Sequence, residues 1–70
     1  MYKFMGDGKC DSGKIANAKT DAARMCLEYC KRKPEADFFS WDSSTTDCEC
    51  YDASTCGIQS AGSFKSYKML

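Results

Sequence analysis

Six cysteines in 70 residues fall as a lone Cys10, a C-x-x-x-C (Cys26, Cys30), a C-x-C (Cys48, Cys50) and a lone Cys56. A chain this short buries too small a fraction of its unfolded surface to be comfortably stable on a core alone, so it needs cross-links, a metal or a partner. The cysteines are even in number and contain no C-x-x-C, and no histidine is present to complete a zinc site. That pattern favours disulfides over a metal cluster. Disulfides in turn imply an oxidising compartment, extracellular or lumenal. The chain is therefore expected to be a mature or excised piece whose targeting segment is missing.

The spacing also says where the sulfurs go. On a helix, C-x-x-x-C places two sulfurs one turn apart on the same face; on a strand, C-x-C places two on the same side of a sheet. Facing each other, the pairs clamp helix to sheet, and Cys10 and Cys56 are left to tie the N-terminal part to the region after the strands. Each bridge is worth about 3–4 kcal/mol in the chain-entropy model, comparable to the whole stability of a small domain. Strand polarity decides whether Cys26 meets Cys50 and Cys30 meets Cys48 or the converse, and six cysteines allow about 15 connectivities in all.

The helix is expected over residues 20–32, with Thr20 as N-cap, Asp21 at the positive end of the dipole and Lys31, Arg32 and Lys33 at the negative end before Pro34 stops it. Ala23, Cys26, Leu27 and Cys30 form its apolar stripe. Strands are expected at 2–5, 37–41, 47–51 and 64–70, with residues 42–46 as a polar hairpin turn. Phe39 and Trp41 share one face of the first hairpin strand, and Trp41 is expected in the core. On the second hairpin strand Asp47, Glu49 and Tyr51 point away from the cysteines, onto a face expected to be wet. Residues 11–19 read as a polar loop anchored by Ile15. The result is one domain, residues 1–70, of the α+β class: a small disulfide-rich unit with one helix packed on an antiparallel sheet.

Several functions are excluded by what is missing. Without histidine, and with the thiols oxidised, neither a Ser-His nor a Cys-His nucleophile pair can form. The carboxylates Asp47 and Glu49 sit in a domain too small to enclose a substrate cleft. No enzyme activity, cofactor or metal is therefore expected. Ten basic and ten acidic residues give zero net charge, which argues against a nucleic-acid partner, and no apolar run is long enough to span a membrane. The balance conceals a segregation: residues 1–33 hold eight of the basic groups, and residues 34–52 hold six acids and no base. This is either compensation within the fold or a basic and an acidic face available for assembly.

Five segments, YKFMGDGKC (2–10), ARMCLEYC (23–30), Phe39-Ser40-Trp41, Cys48-Glu49-Cys50-Tyr51 and the closing Tyr67-Lys68-Met69-Leu70, resemble the PAN/apple domain family in order and spacing across nearly the whole chain. The cysteine that many members carry before the aromatic strand has Asp37 in its place. The resemblance implies a helix packed on an antiparallel sheet with both chain ends paired centrally. It also implies the nested bridges Cys26–Cys50, Cys30–Cys48 and Cys10–Cys56, and a non-enzymatic extracellular module that binds a protein or glycan partner in adhesion or assembly. Candidate contacts are Tyr51 and Glu49 on the wet strand face, Asp42 in the hairpin turn, and Lys31, Arg32 and Lys33 at the helix end. The alternatives are a small structural subunit of a larger extracellular or lumenal assembly and a secreted toxin or antimicrobial peptide of the cystine-stabilised αβ type. The latter family shares the C-x-x-x-C and C-x-C, but usually places its remaining cysteine before the C-x-C.

Overall fold

A computed structural model describes residues 1–70. The elements follow in the order β1 (Tyr2–Asp7), β2 (Lys9–Cys10), β3 (Lys14–Lys19), α1 (Ala23–Lys31), β4 (Phe38–Asp42), β5 (Asp47–Tyr51), β6 (Ile58–Gln59) and β7 (Phe64–Met69). Five strands form one antiparallel sheet in the order β1-β7-β4-β5-β3, and β2 pairs with β6 in a second, two-stranded sheet. The class is α+β, as the cysteine spacing and element pattern require.

The central strands β4 and β5 are buried on both faces, which makes the molecule three-layered. On one face α1 lays Cys26, Leu27 and Cys30 against Phe39, Cys48 and Cys50. Trp41 packs at the rim of this core, and its indole N–H donates to the Thr20 carbonyl at 2.9 Å. On the other face the β2–β6 pair covers Phe38 and Tyr51, joined there by Cys10 and Cys56. The face that carries Glu49 and Tyr51, expected to be wet, is thus an interior. Two strands of two residues each are enough to cover it, too short to leave any periodic trace in the sequence.

The helix is shorter at its start than its capping signals suggest. Ala22 occupies the N-cap with no side-chain cap bond, the first turn holds no acid, and the Thr20 hydroxyl donates to the Ala22 carbonyl at 3.2 Å. Thr20 is held back because its backbone N–H donates to Thr46 O at 2.9 Å, as a continuation of the β3–β5 ladder. Residues 11–19, expected to be a loop, contain that strand β3. Its sequence KIANAK lacks an apolar alternation because it is an edge strand with only Ala16 and Ala18 facing the helix layer, and Ile15 is a half-exposed bulge rather than an anchor.

Strand β3 also decides the disulfides. Lys19 pairs with Asp47, so the chain enters α1 beside the start of β5, and the helix then runs along β5 in the same sense. Cys26 therefore meets Cys48 and Cys30 meets Cys50. These replace the nested pairs Cys26–Cys50 and Cys30–Cys48 that the family resemblance implied, while Cys10–Cys56 is found as expected. The two helix–strand bridges touch, with Cys30 Sγ 3.9 Å from Cys48 Sγ. No cysteine is free, consistent with an oxidising environment.

The chain ends pair with each other, β1 against β7, but β1 is an edge strand and the centre of the sheet is β4. Central pairing of both ends, as the resemblance implied, is thus not what this chain has. No helix is long and apolar enough to cross a membrane.

Candidate functional site

The polar groups of the second face gather around Glu49. In β5, Glu49 and Tyr51 are two residues apart and point the same way, so the Tyr51 hydroxyl donates to Glu49 Oε1. Tyr51 is 2% exposed and Glu49 9%. Burial, and then the hydrogen bond to a carboxylate, push the Tyr51 phenol well above its ordinary value. Two lysines approach the same carboxylate from different strands. Lys9 Nζ, on β2, lies 3.9 Å from Oε1, and Lys14 Nζ, on β3, lies 3.8 Å from Oε2.

Both separations exceed a hydrogen bond, for which about 2.7–3.2 Å is required. The ammonium groups compensate the Glu49 charge without engaging it, and both lysines are well exposed to solvent on their other sides. A cavity of about 190 Å³ opens here, lined by Lys9, Lys14, Glu49, Tyr51, Ser12 and Gln59 and edged by Cys10 and Asp11. It offers an acceptor, a phenol, an amide and two cationic donors in one place.

A second cavity, of about 370 Å³, lies beyond the β2–β6 pair, where Ser43, Ser60 and Ser63 face Asp7, Lys65 and Phe64. Lys65 Nζ donates to Asp7 Oδ1 at 2.6 Å across the β1–β7 pair, and that contact raises the Lys65 pKa.

The other residues singled out in the sequence fall elsewhere. Asp42 is not an available contact: it is 3% exposed and serves as the anchor of the hairpin turn. Its Oδ1 accepts from the Ser44 backbone N–H and hydroxyl, both at 2.7 Å, and from Thr45 N–H at 3.2 Å, while Oδ2 accepts from Ser63 N–H at 3.3 Å. The Ser44 hydroxyl, followed by the backbone donors, holds the Asp42 carboxyl below its ordinary value despite the opposing effect of burial. Lys31 and Arg32 are exposed at the end of α1, and Lys33 lies with its Nζ 5.1 Å from the centroid of the Tyr29 ring. The three line neither cavity.

Glu49 and Tyr51 are thus brought together as the sequence suggests, but in a lined cavity and not on an open strand face. Lys9, Lys14, Ser12 and Gln59 join them without having been marked by the sequence. For Lys9, Ser12 and Lys14 the only signal there is the polar run on either side of Cys10, which its bridge to Cys56 ties to the segment carrying Gln59.

Part of the charge segregation is met within the chain. Lys9 and Lys14 approach Glu49, and Lys19 pairs with Asp47 at 2.5 Å, so three of the four ion pairs join the basic first part to the acidic strand β5.

No protein-family model, curated protein or solved structure matches the chain.

Proposed function

We propose that this chain is a non-enzymatic, PAN/apple-like binding module of the extracellular space or another oxidising lumen, and that its ligand is a carbohydrate seated at Glu49. The observation that carries the reading is the Glu49 carboxylate, nearly buried yet facing a polar cavity, with two lysines held just beyond hydrogen-bonding distance. Adjacent sugar hydroxyls donate to such a carboxylate and accept from such ammonium groups at once, which satisfies donors and acceptors that otherwise turn to water. The three bridges support the compartment, since they persist only where thiols are not kept reduced.

The test is a glycan array probed with the oxidised protein, followed by titration calorimetry on any binder with Glu49→Gln and Lys14→Ala. The glutamine amide oxygen still accepts from the Tyr51 hydroxyl, so Glu49→Gln retains the fold while the charge is removed. Loss of binding in both variants, with unchanged melting temperature for Glu49→Gln, supports the site. Binding to protein ectodomains alone, or binding indifferent to both substitutions, overturns it.

A second reading, a structural subunit of a larger assembly, is favoured by one feature. Tyr2, Phe4 and Met5 on edge strand β1 are 40%, 52% and 43% exposed, an apolar strip at an open sheet edge. Sedimentation of the chain purified from its source, with and without mild dissociation, separates the two readings.

A further inference from the structure

The two cavities share a wall. Lys9 and Gln59 line the first, and their chain neighbours Gly8 and Ser60 line the second. They meet at the end of the β2–β6 pair where Lys9 is opposite Gln59, with Gly8 and Ser60 the next residues along. Lys9 reaches to both sides, with its Nζ 3.9 Å from Glu49 in the first cavity and 5.4 Å from the ring centroid of Phe64, which lines the second.

The linings are alike in chemistry. The first sets Lys9 and Lys14 against Asp11 and Glu49, and the second sets Lys65 against Asp7, so neither carries net charge. Each has two apolar residues at most, and hydroxyls or amides fill the remainder: Ser12, Gln59 and Tyr51 in one, Ser43, Ser60 and Ser63 in the other. A charged polymer finds no field to hold it here and an apolar peptide finds no surface to cover. A neutral chain with hydroxyls at every unit meets donors and acceptors in both cavities.

From this we infer that the two cavities are subsites of one extended site that takes a neutral oligosaccharide lying across this end of the β2–β6 pair, with Lys9 in contact with both bound units. The inference rests on the carbohydrate reading of the Glu49 cavity and adds to it the ligand's charge, its minimum length and a second set of contacts.

The probe is an array of neutral mono- to tetrasaccharides of glucose, galactose, mannose and N-acetylglucosamine, with the best binder then titrated into the 15N-labelled oxidised protein. A tetrasaccharide is expected to shift the amides of Lys14 and Glu49 together with those of Ser60 and Ser63, and to bind about tenfold or more tighter than its monosaccharide unit. Asp7→Asn, at an exposed ion pair whose loss costs little stability, is expected to weaken the tetrasaccharide and leave the monosaccharide unchanged. Shifts confined to the Glu49 cavity, equal affinity for the two lengths, or an Asp7→Asn effect that is the same for both overturns the extended site while leaving the Glu49 cavity in place. If no neutral saccharide shifts any amide, the extended site falls, and the carbohydrate reading falls with it when charged glycans also leave the Glu49 cavity unshifted.

Discussion

The hydroxyls of Ser40 and Ser66 meet at 2.6 Å between β4 and β7, both completely buried. They are the middle of a directed chain. Cys10 N–H donates to Ser40 Oγ at 3.4 Å, the Ser40 hydroxyl donates to Ser66 Oγ, and Ser66 donates to the Gly8 carbonyl at 2.8 Å. Each group gives and receives once, and no buried side-chain polar atom in the protein lacks a partner. The chain fastens residues 8–10 to the main sheet, where Lys9 and Cys10 line the first cavity and Gly8 the second.

Ser66→Ala is therefore expected to destabilise the fold by about 1–3 kcal/mol, because it takes the hydroxyl donor from the Gly8 carbonyl and leaves the Ser40 hydroxyl proton without an acceptor. Ser40→Ala is expected to cost a similar amount. The double variant should cost less than the sum, with a coupling of about 1 kcal/mol in urea unfolding; strict additivity contradicts the relay.

Digestion with a glutamate-specific protease after acid unfolding, at Glu28 and Glu49, separates Cys26 from Cys30 and Cys48 from Cys50. Mass spectrometry is expected to find peptides linking Cys26 to Cys48 and Cys30 to Cys50. A peptide linking Cys26 to Cys50 overturns the arrangement of α1 along β5. In the chain-entropy model, removing Cys10–Cys56, with its separation of 46, costs about 4 kcal/mol, against about 3 for either helix–strand bridge at 22 and 20.

Acid should weaken the fold through Asp42 and Asp47. Hydrogen bonds from Ser44 hold the folded pKa of Asp42 below 3.8, and those from Lys19 do the same for Asp47. A carboxylate with a depressed folded pKa adds stability above its unfolded value, and that stability is lost as pH falls through the folded one. Melting temperature is thus expected to decline below about pH 4. Asp42→Ala should lower it at neutral pH and flatten the acid decline.

At the alkaline end the sign is reversed. Tyr51 has a folded pKa raised above 10.0 by burial and then by Glu49, so its contribution is intact below the unfolded value and is lost as pH rises through the folded one. Absorbance titration is expected to find one tyrosine that ionises only together with unfolding. In Tyr51→Phe that late step disappears; if it persists, it belongs to another ring.

Gly8→Ala is expected to cost about 1–3 kcal/mol. Gly8 has φ +118°, and a Cβ there falls 2.3 Å from the Gln59 carbonyl oxygen, inside the β2–β6 pairing. Amide exchange should quicken at Lys9 and Gln59 before it does in β4.

The parts legible in the sequence are those with a strong local signal. The C-x-x-x-C stripe with Leu27 marks the helix face, and the aromatic and cysteine alternations either side of the 42–46 turn mark β4 and β5 with the right residues on each face. The departures in the start of the helix and in the bridges have one root. Strand β3 is a polar edge with a bulge at Ile15, so nothing in KIANAK marks it, yet it sets where α1 begins and hence which cysteines meet. The Glu49 cavity is half legible: Glu49 and Tyr51 share a strand face by period, whereas Lys9, Lys14 and Gln59 arrive through pairings of distant segments that no local pattern encodes.

The bridges also fix what a protease can do to this molecule. Cys10–Cys56 encloses both other bridges, so a single cut anywhere between Cys10 and Cys56 leaves two fragments still joined covalently. A nick in the exposed 32–37 connection, for instance, releases nothing. Only the tails outside the outer bridge can be shed by one cleavage, and they hold each other as β1 and β7. One nick inside the outer bridge therefore leaves the molecule in a single covalent piece.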